Sequence, residues 1–151
     1  MGQKKCTYIP DGSTPLQEKF VNYVMKRGKK TVARRIFADM LEELKKKGGK
    51  NPEQIFERAI ENVKPAMEVR PKRIGGAVYQ IPIEVKPGRQ TMLAFRWILE
   101  ASRAKKGMKM ANKLALELMD AANQQGTAIK KKEDAHKMAQ ANKAFAHFAK
   151  Y

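Results

Sequence analysis

Two histidines, a single cysteine and two glycine-lysine pairs are the residues from which reactive chemistry would have to be built in this 151-residue chain. None of them stands in a reactive pattern. Gly28-Lys29 and Gly49-Lys50 lack the spacing, between a strand and a helix, of a loop that cradles phosphate. His136 and His147 fall about three turns apart on one predicted helix, with no acidic or cysteine partner at ligand spacing, so no metal site is expected. Cys6 stands alone near the terminus, which rules out an intramolecular disulfide and points to a reducing compartment. No serine, histidine and acid set of the hydrolase kind is evident. The chain reads as a non-enzyme, with no cofactor and no small-molecule substrate.

The abundant chemistry is cationic. Against 15 Asp and Glu stand 32 Lys and Arg, for a net charge of +17, and polyanion binding is the first expectation from such a balance. The excess is concentrated. Residues 1–35 hold nine basic and two acidic side chains, and residues 70–109 hold ten and two, whereas residues 36–69 sum to −1 and residues 110–151 to +3. Two patches therefore carry nearly all of it, as a partner surface would require. The apolar content of 42% is high enough to fold, and no apolar run approaches a membrane span or a secretory signal.

These side chains need elements to position them. Residues 1–13, with Pro10, Asp11 and Gly12, read as an extended basic arm. Thr14-Pro15 starts a helix, and Leu16, Phe20 and Val24 recur on one face until Gly28. Thr31 is placed to cap a second helix with an apolar stripe of Val32, Ile36, Phe37, Met40, Leu41 and Leu44, ended by Gly48-Gly49. Asn51-Pro52-Glu53-Gln54 has the form of a capping box, opening a third helix through Ile55, Phe56, Ala59, Ile60 and Val63 to Pro65.

The period then changes from helix to strand. Met67 and Val69 alternate with Glu68, Arg70 and Lys72, and after Gly75-Gly76 Tyr79, Ile81, Ile83 and Val85 alternate with Val78, Gln80, Pro82 and Glu84, which predicts a two-stranded antiparallel hairpin over residues 66–86. Pro82 is tolerable there because a ribbon is all edge. Unless braced, such a ribbon protrudes, with Arg70, Lys72 and Arg73 close to its tip. Helical spacing returns after Pro87-Gly88 through Met92, Leu93, Phe95, Trp97, Ile98 and Ala101 to about Gly107. A fifth helix carries Met110, Leu114, Ala115, Leu118 and Ala122. A sixth runs from about Lys131 with Ala135, Met138, Ala139, Phe145 and Phe148 on its apolar side. Trp97, Phe95 and the nine methionines read as core, and Tyr79 as a strand-face residue that could instead stack on a base. The expected fold is mainly α: one domain over residues 1–151, a bundle of about six helices with one protruding two-stranded hairpin.

Several strings resemble the small-subunit ribosomal protein seven family of the bacterial type. They include Lys19-Phe20-Val21-Asn22 with Gly28-Lys29-Lys30, Ala59-Ile60-Glu61-Asn62-Val63-Lys64-Pro65, the run from Arg73 to Val85, and Arg96-Trp97-Ile98. The run from Lys131 to Ala139 and the stretch Asn142-Lys143-Ala144-Phe145-Ala146-His147 complete them. The resemblance implies a helical bundle with an extended hairpin, bound directly to the head domain of small-subunit ribosomal RNA, which it helps to nucleate. It further implies neighbouring small-subunit proteins, with the hairpin near the exit-site tRNA and the mRNA path in a cytoplasmic ribosome. Carried over by position, the RNA-facing groups are Lys4, Lys5, Lys29, Lys30, Arg34, Arg35, Arg70, Lys72, Arg73, Arg89, Arg96, Lys109 and Lys113. The arginine-rich arm frequent in bacterial members is curtailed here to Gln3-Lys4-Lys5, and no long extension follows Tyr151.

On this reading the basic face supplies phosphate contacts while hairpin and loops fit one folded RNA shape, with on the order of 6–10 contacts and a steep salt dependence. A helix-turn-helix DNA regulator is the alternative, with Arg34 and Arg35 opening a recognition helix. An RNA-modifying enzyme, a third class, would need a cofactor pocket.

Overall fold

The computed structural model describes residues 8–150, and the expected arm residues Lys4, Lys5 and Cys6 lie outside them. Among the described residues the chain forms α1 (Pro15–Val24), α2 (Lys30–Lys46), α3 (Pro52–Val63), β1 (Met67–Ile74), β2 (Ala77–Glu84), α4 (Pro87–Ala104), α5 (Met110–Ala122), α6 (Thr127–Ala141) and a terminal 3₁₀ helix (Lys143–Lys150). The mainly helical body with a single antiparallel hairpin agrees with the periodicity.

Phe20 is the hub of the core. Its ring is fully buried and meets Phe56 and Phe95 edge-on at centroid distances of 5.1 Å each, and Phe37 at 6.0 Å. One side chain from α1 thus ties together α2, α3 and α4, in the tilted geometry that the aromatic quadrupole favours. α5 closes the other side, with Leu114, Ala115, Leu118 and Ala121 fully buried against α2, α3 and α4.

Helix starts show where local signals hold. Thr14 caps α1 as its type predicts: its Oγ1 accepts from the Gln17 N–H at 3.3 Å, and the Gln17 side chain accepts from the Thr14 N–H at 3.4 Å. The other two expected caps differ. α2 begins one residue before Thr31, on Lys29 as N-cap with no side-chain bond. At α3 the Asn51 amide donates to Gln54 Oε1 at 3.3 Å, so the two side chains satisfy each other instead of the backbone. Val32, expected on the apolar stripe of α2, is 47% exposed, and Ala33 is buried in its place.

The hairpin turns on Gly75 and Gly76, whose φ angles of 57° and 83° give the mirror-image two-residue turn that matches strand twist. Ile81 and Val85 are buried at its base, and α6 packs on β1. Its outer half is braced by the chain's own tail. Tyr79 lies 5.4 Å from Phe145 and 5.3 Å from Phe148, and Lys72 donates to the Phe148 carbonyl at 3.5 Å. Val78 and Arg73, beside the turn, remain exposed.

The last helix needs the largest correction. It starts at Thr127, four residues before the expected Lys131, because its cap comes from α5: the buried Glu117 carboxylate accepts from the Ala128 N–H at 3.0 Å. It ends at Ala141, where the Asn142 side chain bonds back to the Met138 carbonyl at 2.8 Å. Phe145 and Phe148 therefore sit on the 3₁₀ helix and serve the hairpin. His136 and His147 lie on separate elements, and Met138 is 54% exposed.

One bond pins the hairpin base to α6, and a second pins the end of α3 to it. His136 Nε2 accepts from the Ala66 N–H at 3.0 Å, and Lys132 Nζ donates to the Asn62 carbonyl at 2.7 Å. Asn62 also donates to the carbonyls of Ala121 and Ala122 at 3.0 and 3.2 Å. Burial, and next the Lys132 ammonium, hold the His136 imidazole below its ordinary 6.5. A neutral ring is also what the acceptor role demands, since imidazolium has no lone pair to offer.

Phe20→Ala is expected to lower unfolding free energy by about 3–5 kcal/mol, read from urea denaturation. Because the folded protein binds the His136 proton more weakly than the unfolded chain, its contribution is full above pH 6.5 and is lost as pH falls from there through the lowered folded value. His136→Gln, whose side-chain oxygen can still accept from Ala66, should flatten the stability loss of the native protein between about pH 7 and 5. An unchanged slope would assign that loss to other groups.

Candidate nucleic-acid interface

Cations meet helix starts at three places. α2, α4 and α5 begin on Lys29, Lys86 and Lys109 as N-cap residues, none has a side-chain cap, and none has an acid in its first turn. Lysine is a poor N-cap, and its charge opposes the positive end of the helix dipole, so these starts cost stability in isolation. An external anion reverses that cost, because first-turn N–H groups and an adjacent ammonium converge on it. Lys29 and Lys109 are among the residues that the family resemblance implies, and Lys86 is not. Lysine where a capping residue would stand was the available signal.

The tertiary fold partly merges the two basic segments. A groove of about 270 Å³ is lined by Lys26 and Lys29 from the first segment and Arg103 from the second, over an apolar floor that includes Val24, Val32, Ile36 and Met110. The starts of α2 and α5 thus share one surface. A larger cavity of about 740 Å³, between Gly48 and Asn62, has mixed lining with Lys50, Arg58, Glu57 and Glu61, and holds no nominated residue.

The cations implied by the resemblance that lie within residues 8–150 fall into three groups, of which the last is Lys72 alone. Lys29, Arg35, Arg73, Arg96 and Lys109 are exposed, and Lys113 is partly exposed on the second turn of α5. Lys30, Arg34, Arg70 and Arg89 are paired with two sunken carboxylates, Arg70 while its side chain stays 53% exposed, and no local pattern marks either acid. Glu18 on α1, its side chain 4% exposed, lies 3.5 Å from Lys30 Nζ and 3.2 Å from Arg34 Nη2. Glu68 on β1 receives Arg89 Nε at 2.7 Å and Arg70 Nε at 2.9 Å. Arg70 is accordingly folded back along its strand, away from the hairpin tip, whereas Arg73 stays beside the turn. Lys72 is committed to the Phe148 carbonyl.

Burial works to raise the Glu68 carboxyl, but the hydrogen bond and charge of Arg89, and then those of Arg70, outweigh it and leave the group below the usual carboxylate range. The same bond raises Arg89 above its ordinary value. Glu68 therefore stays ionised at neutral pH and fixes the angle between hairpin and α4. A third sunken acid, Glu117, takes Lys105 Nζ at 3.0 Å while capping α6. Its signal was an acid lying on the apolar stripe between Leu114 and Leu118.

Among the described residues, no group of three or more His, Cys, Asp and Glu is placed to hold a metal ion. No helix there is long and apolar enough to cross a membrane.

The family model described as ribosomal protein S7p/S5e matches residues 3–143. Thermotoga neapolitana has a relative named small ribosomal subunit protein uS7 that is 57% identical over 133 residues, covering 88% of this chain and 86% of the relative. The Vibrio vulnificus protein of the same name is 48% identical over 148 residues, covering 98% and 95%. That of Thermomicrobium roseum is 47% identical over 139 residues, covering 92% and 89%. These matches give the helix-turn-helix alternative no support, and the grip of Glu18 on Arg34 further counts against a free recognition helix.

Proposed function

The chain belongs to the ribosomal protein S7p/S5e family in its bacterial form, a structural and rRNA-binding constituent of the small ribosomal subunit, and we propose that as a single domain it binds the head of that subunit's RNA directly. The hairpin then lies beside the exit-site tRNA and the mRNA path, neighbouring small-subunit proteins complete its surroundings, and the setting is the cytoplasmic ribosome. The family is one of ribosomal proteins and not of enzymes.

The observation that carries the RNA reading is the set of three lysine-capped helix starts. Each lacks a side-chain cap and places a lysine residue at the positive end of a helix, an arrangement that phosphate satisfies. In the complex Lys29, Arg35, Arg73, Arg96, Lys109 and Lys113 contact phosphates, with the arm residues Lys4 and Lys5 added to them. Lys30, Arg34, Arg70, Arg89 and Lys72 enter pre-positioned by their intramolecular partners. Such contacts fix orientation without reading sequence, so the folded shape of the RNA and its unpaired bases supply the selection.

The protein is expected to co-sediment with small subunits, and a footprint on reconstituted RNA should fall in the head domain. Protection elsewhere would overturn the head assignment. Neutralising Lys29, Arg35 and Arg73 to Gln, all exposed and outside the core, should leave thermal stability within about 0.5 kcal/mol per site. The slope of log affinity against log salt for an rRNA fragment should become shallower by about 0.9 for each contact removed. An unaltered slope would remove these residues from the interface.

A further inference from the structure

We infer that Glu18 is a specificity-determining residue for the RNA reading above, on which this rests: it is a built-in competitor that keeps Lys30 and Arg34 from non-cognate phosphate. Three observations place it there. Its carboxylate is nearly closed off from water, while the cations it holds remain a third or more exposed, at 33% and 38% of their side chains. Ser13 Oγ lies 3.4 Å from its other oxygen and 3.5 Å from Gln17 Oε1, and can donate its one proton to either. The immediate neighbours of the held pair, Lys29 and Arg35, are exposed. Two held cations are thus flanked by two exposed ones over about two turns at the start of α2.

The competition follows from where the acid sits. A phosphate that draws Lys30 or Arg34 outward leaves the carboxylate with fewer partners in a buried place, and an uncompensated buried charge is costly. A phosphate met by chance on a flexible strand gains one exposed contact for that cost, which does not favour the exchange. An RNA whose backbone is already shaped to the patch can bridge to the outward N–H groups of Arg34 while Glu18 keeps its share, or can supply several contacts at once. The Tyr8 ring, 5.8 Å from the Arg34 guanidinium carbon, covers part of that side chain, and Arg34 Nε is buried without an acceptor among the described residues. Approach is therefore restricted in direction as well as in charge. Glu68 grips Arg70 and Arg89 in a similar way, but it also joins β1 to α4, so its removal would disturb the hairpin. Glu18 joins two helices already secured through Phe20 and Phe37.

Salt-dependent binding of the full chain to poly(U) and to its small-subunit head rRNA tests this. Glu18→Gln keeps the side chain's size and removes its charge, and should steepen the poly(U) slope by about 0.7 for each cation released, up to about 1.4. Binding to head rRNA should change less, so the preference for rRNA over poly(U) falls by about 10-fold. In the native background, Arg34→Gln should leave the poly(U) slope unchanged while Arg35→Gln makes it shallower by about 0.7. That second comparison stands even if Glu18→Gln fails to fold. Equal effects of Arg34→Gln and Arg35→Gln, or a Glu18→Gln protein with native slope and native preference, would overturn the inference alone. A native protein that binds both RNAs equally would overturn the rRNA reading and this one with it.

Discussion

The edge-on packing of Phe20 against Phe37, Phe56 and Phe95 is the contact on which the rest of the molecule depends. A chain with a net charge of +17 repels itself, and the compact state must be held by something other than charge balance. One fully buried aromatic ring that touches three other helices does so at a point where no polar group needs satisfying. The fixed relation of α1 to α2 sets Glu18 against Lys30 and Arg34. The fixed relation of α1 and α3 to α4 sets where Arg96 and Arg103 emerge. Lys26, Lys29 and Arg103, far apart in sequence, come to line one groove because the helices that carry them are packed together.

A second constraint is the management of that charge by a few sunken acids. Glu18, Glu68 and Glu117 are all more closed to water than the cations they hold, and each joins two elements. Ion pairs of this kind are modest contributors to stability, since the exposed partner is screened and the buried one has lost hydration. Their effect is better seen as geometry. Glu117 starts α6, Glu68 sets the hairpin against α4, and Glu18 divides the cations of α2 into held and exposed. The exposed set, together with the lysine-capped helix starts, is left for an external polyanion.

The hairpin shows how a marginal element is made firm. Two strands alone have too little apolar surface to stand by themselves. Here the base is pinned by His136 from α6, and the outer half rests on Phe145 and Phe148 of the terminal 3₁₀ helix. Tyr79, which on an unbraced ribbon could have stacked on a base, has its ring occupied by those two phenyls. The tip remains exposed, with Val78 and Arg73 at its end.

Sequence alone determined the helical body, the hairpin with its Gly75-Gly76 turn, the Thr14 cap, the two basic segments and the family resemblance. Each of these is written in neighbouring residues, as a period, a turn pair, a cap or a run of charge. Only tertiary structure decided where α6 begins, because its cap is a carboxylate eleven positions back on α5. It likewise decided that Phe145 and Phe148 serve the hairpin, and that Lys30, Arg34, Arg70 and Arg89 are held while Lys29, Arg35 and Arg73 are exposed. The reason is physical: a cation's reach toward a phosphate depends on which acid lies against it, and Glu18 and Arg34 are brought together by packing between helices, which no local pattern encodes.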